Sequence, residues 1–224
     1  MDPRPPELER IALPPSAAAA GGDLLIMLAG AYDAPARFLE HDLDTDCRDA
    51  GFDAALCLVR TDLNGATDGR MIEALRRQVI DPARTAGVGR IVLGGISIGA
   101  MTALQYHDAC PADADELLLL APYPGNRGIT AEIAAAGGVR AWQPDRLPPD
   151  AGELRSWRAL KQLAGRDAVP AWLGYGSDDR FADAHRMMAD ALPADRVCAT
   201  PGGHSWPVWR QLWRTWLAAG GGGR

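Results

Sequence analysis

The stretch Ile91-Val-Leu-Gly-Gly-Ile-Ser-Ile-Gly-Ala100 is the part of the chain that decides its fold. Its first residues are aliphatic and predict a buried β-strand, and the small residues after Ile98 predict the start of a helix. Between them, Ser97 stands at the tip of a glycine-rich turn, a strained geometry that exposes a serine hydroxyl above the sheet. We expect Gly95 and Gly99 to lie where the helix presses on the strand, because a Cβ at either position would clash.

Segments typical of strands and of helices alternate on both sides of this stretch. The predicted strands are 23–28, 54–60, 91–93, 116–121, 170–175 and 196–200. The predicted helices between and after them are 35–50, 69–85, 98–110, 180–192 and 206–219. This alternation predicts an α/β fold, a three-layer αβα sandwich around a mostly parallel sheet of roughly six strands. In such a sheet, ligands bind at the edge where the strands have their carboxyl ends.

Three segments fall outside the alternation. Residues 1–22 are rich in Pro, Ala and Gly and predict an irregular N-terminal arm with one short extended piece at 11–13. Residues 122–168 are too long for an ordinary connection, so we interpret them as a cap-like insertion after the fourth strand, covering the sheet's edge. Residues 220–224 predict a flexible tail, which leaves 23–219 as a single domain.

The composition limits the classes of function that are open to the chain. Its 224 residues are enough for one sizeable core, and its net charge of −6 argues against a nucleic-acid partner. It has neither an apolar run long enough to span a membrane nor an apolar signal segment, so we expect a cytoplasmic protein. The cysteines lack metal-ligand spacing and predict buried thiols, with no metal site; they are Cys47, Cys57, Cys110 and Cys198.

A serine becomes a good nucleophile only when a base takes its proton and a third group orients that base. Three of the four histidines, His41, His107 and His185, fall inside predicted helices. His204 alone follows a strand directly, in a loop whose glycines let the backbone bring the imidazole inward. We therefore predict His204 as the base for Ser97, against the alternative of a structural histidine in a turn.

The orienting acid is expected in the loop after the strand that lies between the serine and the histidine in sequence. This loop offers Asp178 and Asp179, and one of the two is also expected to cap the helix that begins near Arg180. The N–H of Ile98, at the start of the predicted helix, is placed to donate to an oxyanion. A second donor should come from the loop after the first strand, where the N–H of Ala31 is our first choice and that of Tyr32 the next.

Aromatic side chains near the same edge are candidates for binding a substrate. Tyr32 lies in the first loop and Tyr123 begins the insertion, and both are predicted to line the pocket. Trp206 belongs to a tryptophan stripe at helical spacing that is typical of core packing, but its closeness to His204 predicts a contact with substrate. Two further tryptophans in the insertion, at 142 and 157, suggest a partly aromatic pocket for short or medium acyl groups.

Three motifs together resemble the α/β-hydrolase family, in its small single-domain serine esterase branch with carboxylesterases and lysophospholipases: Gly95-Ile-Ser-Ile-Gly99, Gly176-Ser-Asp-Asp179 and Gly203-His204. The resemblance covers nearly everything from 23 to 218. The chain departs from it in the loop after the first strand, which reads Ala29-Gly30-Ala31. It also departs at the N-terminus, where the family's first two strands are not evident.

The resemblance implies a role for each matching residue. It implies Ser97 as nucleophile, His204 as base, and the N–H groups of Ile98 and Ala31 as oxyanion donors. Because the family places its acid three residues after a glycine, the resemblance favours Asp179 over Asp178.

The function expected from these residues is hydrolysis of a small carboxylic ester or thioester through an acyl-enzyme, without cofactor or metal. The same fold and residues could instead serve acyl transfer to another acceptor, peptide cleavage or a cofactor-free lyase reaction, since a fold does not fix a reaction. A non-catalytic binding protein is the third hypothesis. It is the weakest, because its usual mark is a missing member of the serine, histidine and acid set.

Overall fold

A computed structural model describes residues 5–15, 22–64, 69–144, 147–148, 151–165 and 168–221 of the chain. In this part of the chain, one sheet has seven strands in the order β1-β3-β2-β4-β5-β6-β7, and all neighbours are parallel except β1 and β3. The strands are β1 Arg10–Leu13, β2 Asp23–Leu28, β3 Ala54–Val59, β4 Ile91–Ile96, β5 Glu116–Leu120, β6 Ala171–Gly176 and β7 Val197–Thr200. The structure therefore confirms the predicted α/β sandwich.

The helices lie between successive parallel strands, except the last, which follows β7. They are α1 Ala36–Glu40, α2 Leu43–Asp49, α3 Arg70–Leu75, α4 Asp81–Thr85, α5 Ile98–Ala109, α6 Arg127–Ala135, α7 Gly152–Leu163, α8 Ala182–Ala189 and α9 Trp206–Ala218. A π-helical segment, Arg76–Ile80, joins α3 to α4. No helix among the described residues is long and apolar enough to cross a membrane.

Two apolar clusters cover the two faces of the sheet, as alternating side chains of a strand require. One cluster joins strand residues such as Leu93 and Leu119 to α3, α5 and α7. The other joins residues such as Val92 and Leu118 to α1, α2 and α9. Trp209, Trp213 and Trp216 of α9 are buried in this second cluster, which confirms that the tryptophan stripe packs in the core.

The sheet has one strand more than the expected six. Residues 10–13 lie within the predicted irregular arm, but they form a complete strand that pairs antiparallel with β3. This strand is attached to the π-helical segment at Gln78. Pro82 has no N–H to donate to the carbonyl of Gln78 four residues earlier, so this carbonyl is open to another donor. That carbonyl accepts from Arg10 instead, at 2.5 Å, and the Gln78 side chain bonds Leu8 N and Pro6 O. Residues 1–4 and 16–21 of the arm and 222–224 of the tail lie outside the described residues.

One prediction about a connection needs correction. The helix expected over 35–50 is broken into α1 and α2 at Asp42, which has a left-handed φ of 58° and whose carboxylate pairs with Arg210 at 2.8 Å. The segment 122–168 connects β5 to β6, which pair directly, and its helix α7 packs against α5. The cap-like role of this segment stays a prediction.

Candidate active site

The turn from β4 into α5 has the geometry that the glycine pattern predicts. Ser97 stands between strand and helix with φ 55° and ψ −116°, a backbone conformation that costs a non-glycine residue energy. A Cβ on Gly99 would lie 2.1 Å from the carbonyl oxygen of Leu28, and one on Gly95 would lie 2.4 Å from the carbonyl carbon of Gly99. Both distances are far inside van der Waals contact, so the helix can leave the strand this sharply only with glycines there.

Ser97, His204 and Asp179 form one continuous chain of polar contacts. His204 Nε2 lies 2.9 Å from Ser97 Oγ, and His204 Nδ1 lies 2.7 Å from Asp179 Oδ2. A carboxylate can only accept, so Nδ1 carries the proton and donates to Asp179, which leaves Nε2 free to accept from the serine hydroxyl. The three residues are drawn from the ends of β4, β6 and β7, which meet at the carboxyl edge of the sheet.

The two neighbouring aspartates have different partners. Asp179 is buried, and burial raises the pKa of its carboxyl. Hydrogen bonds from His204 and from the N–H of Phe181 outweigh burial and bring the pKa of Asp179 below its usual value. Electrostatic interactions with His204 and His185 act in the same direction. Asp178 is exposed, and its carboxylate accepts from Gly202 N at 2.9 Å. Asp179 therefore contacts the imidazole, while Asp178 holds the loop that leads to it.

A close approach of two backbones brings the acid and the imidazole together. A Cβ on Gly176 would lie 2.2 Å from the carbonyl oxygen of Gly202, so the end of β6 touches the loop after β7. Gly202 itself has φ 117°, a conformation that side chains disfavour. These glycines explain how residues 25 positions apart, Asp179 and His204, meet at 2.7 Å.

Strained backbone is concentrated at this edge of the sheet. Among the described non-glycine residues, the positive φ angles outside Asp42 are 65° at Tyr32, 55° at Ser97 and 45° at Ala121. These three follow β2, β4 and β5, which are adjacent in the sheet. Such conformations persist where the surrounding structure enforces them, and they cluster at functional sites.

The predicted oxyanion donors lie on either side of the serine turn. Ile98 begins α5, and the first N–H groups of a helix have no acceptor within it. In the other loop, Gly30 lies next to the turn, and a Cβ there would be in ordinary contact with the carbonyl oxygen of Ile96 at 3.8 Å. Ala31 follows in an exposed turn closed by Asp33 N and Gly30 O at 3.2 Å. The donor role of Ala31 stays a prediction.

Two aromatic rings that the sequence analysis did not single out hold the imidazole of His204. Phe181 and Trp209 both meet it edge-on, with ring centroids 5.5 Å and 5.0 Å away and interplanar angles of 90° and 87°. Phe181 comes two residues after Asp179, so its closeness to the predicted acid could have identified it from the sequence. Trp209 was hidden in the tryptophan stripe, because periodicity identifies a helix face but not which member touches a loop.

The predicted substrate-contacting residues differ in where they lie. Tyr123 donates its N–H to the Ser97 carbonyl at 3.0 Å, and its ring meets Phe181 edge-on at 5.6 Å. Tyr32 is 87% exposed at the same edge of the sheet. Trp206 is buried, stacked on His41 at 4.4 Å, a position that favours core packing over contact with substrate.

The expectation of an aromatic pocket from the inserted tryptophans is wrong. Trp157 is fully buried and donates its indole N–H to Pro124 O at 2.9 Å. Trp142 is also buried, and its indole N–H donates to Glu132 at 2.8 Å. Both side chains hold the segment 122–168 to the core.

The four cysteine thiols differ in their burial. Cys47 and Cys57 are buried, whereas Cys110 and Cys198 are only half-buried, so the prediction of four buried thiols holds for two. Burial raises the pKa of Cys47 to about 12 and that of Cys57 to about 11, which disfavours a thiolate nucleophile. Within the described ranges, no three His, Cys, Asp or Glu side chains are grouped so that they could hold a metal ion.

His185 lies directly behind the site. It is fully buried, and its Nε2 lies 2.8 Å from the carbonyl of Pro122, to which it donates. Its Nδ1 has no hydrogen-bond partner among the described residues. Burial lowers the pKa of His185, although the nearby charge of Asp179 opposes this. Burial also lowers the pKa of His107 on α5.

These two neutral histidines predict a dependence of stability on pH. Their pKa values in the folded protein lie below the unfolded value of about 6.5, so the unfolded chain takes up protons first as the pH falls. Their contribution to stability is therefore complete above about pH 6.5 and is lost as the pH falls from there through their folded pKa values. We expect the thermal midpoint to drop between pH 7 and pH 5, as measured by circular dichroism in a buffer series.

A matched variant separates this effect from other titrations. The double substitution His107→Gln and His185→Gln removes both imidazoles while keeping a side-chain amide donor. Its midpoint should be lower at pH 7 but should fall less between pH 7 and pH 5 than that of the parent protein. An equal fall in the two proteins would contradict the assignment to these histidines.

Comparison with known proteins identifies the fold. No protein-family profile matches the chain, and no curated protein matches it significantly in sequence. Among solved structures, a fluorophosphonate-binding serine hydrolase of Staphylococcus aureus matches with a TM-score of 0.67 at 12% identity, covering 95% of this chain and 98% of its own. An S-formylglutathione hydrolase of Staphylococcus aureus gives 0.66 at 13% identity, covering 90% and 82%. Est1E of Butyrivibrio proteoclasticus gives 0.64 at 15% identity, covering 95% and 94%. With this sheet order and these matches over nearly the whole chain, the protein has the α/β-hydrolase fold.

Proposed function

We propose that this protein is a serine hydrolase that cleaves carboxylic esters or thioesters through an acyl-enzyme on Ser97. The observation that carries the proposal is the unbroken chain from Ser97 Oγ to His204 Nε2 at 2.9 Å and from His204 Nδ1 to Asp179 at 2.7 Å. Nucleophile, base and orienting acid at hydrogen-bonding distance are the arrangement that acyl transfer requires. Two of the similar solved structures are named as hydrolases, which supports the same class of reaction.

In the proposed mechanism, Ser97 Oγ attacks the acyl carbon while His204 Nε2 takes its proton. The negative oxygen that forms is stabilised by the N–H of Ile98 and by a second N–H from Ala31. His204 then gives the proton to the leaving group, and the acyl group stays on Ser97. Water attacks the acyl-enzyme by the same steps in reverse order, and Asp179 stabilises the imidazolium in both halves of the reaction.

The proposed partner is a small-molecule ester or thioester, and the reaction as written uses no metal or cofactor. A cytoplasmic location is part of the proposal, supported by the four cysteines, all of which are free. Tyr123 and Tyr32 are proposed to contact the substrate from opposite sides of Ser97, since their loops follow β5 and β2 on either side of β4.

A covalent probe tests the proposal directly. We expect a fluorophosphonate to add to Ser97 in the native protein, because the probe reacts only with a serine that has an activated hydroxyl and an oxyanion site. Intact mass and peptide mapping should locate one adduct on Ser97, and turnover of para-nitrophenyl acetate should stop as labelling reaches completion. The Ser97→Ala variant is the control and should remain unlabelled. Labelling elsewhere, or full turnover after complete labelling of Ser97, would refute the assignment.

A further inference from the structure

A groove of about 480 Å³ opens beside the candidate active site, between the loop after β5 and the start of α8. Its lining is mostly apolar, with Phe181 and Met187 along one wall and Pro124 and Ala131 along the other. It is large enough for part of a small substrate, and the mechanism described above does not use it.

Both walls of the groove continue directly from the catalytic chain. On one side, Pro124 follows Tyr123, whose N–H donates to the Ser97 carbonyl at 3.0 Å. On the other side, Phe181 follows Asp179 by two residues and meets the His204 ring at 5.5 Å. The Phe181 ring therefore borders both the groove and the imidazole, so the groove lies one aromatic ring away from the catalytic chain.

Two arginines give the groove a positive charge. The guanidinium carbon of Arg180 stacks over the Phe181 ring at 4.8 Å, and Arg127 lines the opposite side. Neither arginine forms an ion pair within the described ranges. Asp183 also lines the groove, but its carboxylate is paired with Arg186. A guanidinium group without an ion-pair partner, next to an apolar surface, can bind a ligand that has a carboxylate attached to a short apolar group.

The position of the groove indicates which half of an ester it would hold. His204 returns its proton to the leaving oxygen, so the leaving half lies on the imidazole side of Ser97. Phe181, which lines the groove, contacts that imidazole edge-on. We infer that the groove binds the alcohol or thiol half of the substrate and that Arg127 and Arg180 select substrates in which this half has a carboxylate. This inference rests on the proposed function and specifies its substrate class.

The test compares two esters that differ only in charge. They are the acetate ester of para-hydroxyphenylpropanoate and that of the corresponding primary amide, which share the acyl group and nearly the same leaving phenol. We expect the native protein to show a kcat/KM on the order of tenfold higher for the carboxylate, since two exposed guanidinium groups contribute modestly each. The ratio should fall to near one in the double variant Arg127→Gln, Arg180→Gln, and should shrink with added salt.

A control variant shows whether the effect is specific to the arginines of the groove. Arg77→Gln removes one exposed guanidinium on the π-helical segment, outside the groove lining, and should leave the ratio and both rates unchanged. A ratio near one in the native protein, or one that survives in the double variant, would overturn the inference. If the native protein hydrolyses both esters equally, this inference fails and the proposed function stands. If it hydrolyses neither ester and a fluorophosphonate does not label Ser97, the proposed function itself fails.

Discussion

Asp179→Asn should lower kcat for an ester substrate by about four orders of magnitude. The carboxylate holds the proton on His204 Nδ1, at 2.7 Å, and so keeps Nε2 free to accept from Ser97. An asparagine amide can donate to Nδ1 instead, which favours the opposite tautomer and removes the base. Its carbonyl can still accept from Phe181 N, so the local turn should survive. Initial rates with para-nitrophenyl acetate measure the effect.

The neighbouring aspartate provides the matched control. Asp178→Asn changes the same charge one residue away, but its carboxylate contacts Gly202 N and not the imidazole. Because an asparagine oxygen can accept that bond, we expect kcat to stay within about threefold of the parent. Equal losses in the two variants would mean that the charge of the loop matters and that the specific contact with His204 does not.

Gly99→Ala should prevent the chain from folding or lower the free energy of unfolding by more than about 4 kcal/mol. The added Cβ would lie 2.1 Å from the carbonyl oxygen of Leu28 and 2.7 Å from that of Ala29. Both are backbone atoms of the buried end of β2 and its extension, so neither can move as a side chain could. Soluble yield, circular dichroism and urea unfolding measure the outcome.

Gly30→Ala is the control for this prediction. Its Cβ would meet its nearest neighbour, the Asp33 carboxylate, at 3.5 Å, an ordinary contact. We expect it to change the free energy of unfolding by less than about 0.5 kcal/mol. If Gly99→Ala unfolded at the same urea concentration as the parent, the close packing of α5 on β2 would not be what requires a glycine at this position.

The central parallel strands were predictable because they are short, continuous apolar runs buried on both faces, as β2 and β5 show. β1 was expected only as a short extended piece at 11–13 and not as a strand of the sheet, because four residues with a half-buried pattern leave little signal. The break at Asp42 also left no local signal, and the partner of Asp42, Arg210, lies far along the chain. Local pattern predicts that an element exists better than it predicts where that element stops.

In the candidate site, too, some features follow from local sequence and others depend on tertiary packing. The glycines around Ser97 predict its turn from sterics alone, and the order serine, acid, histidine follows from the topology. The choice between Asp178 and Asp179 could not be made from the loop itself, because both precede a helix and both are carboxylates. The Phe181 and Trp209 rings around His204 depend on side-chain packing between separate elements, which a single sequence does not encode locally.

The left-handed backbone at Tyr32, Ser97 and Ala121 has an implication for engineering. These three neighbouring loops have backbone conformations of raised energy, and favourable interactions in the rest of the molecule have to compensate for that energy. Substitutions chosen to relax those loops would gain robustness by giving up the preorganisation that places the hydroxyl. A more heat-resistant variant is therefore best sought on distant surfaces, where that trade-off does not arise.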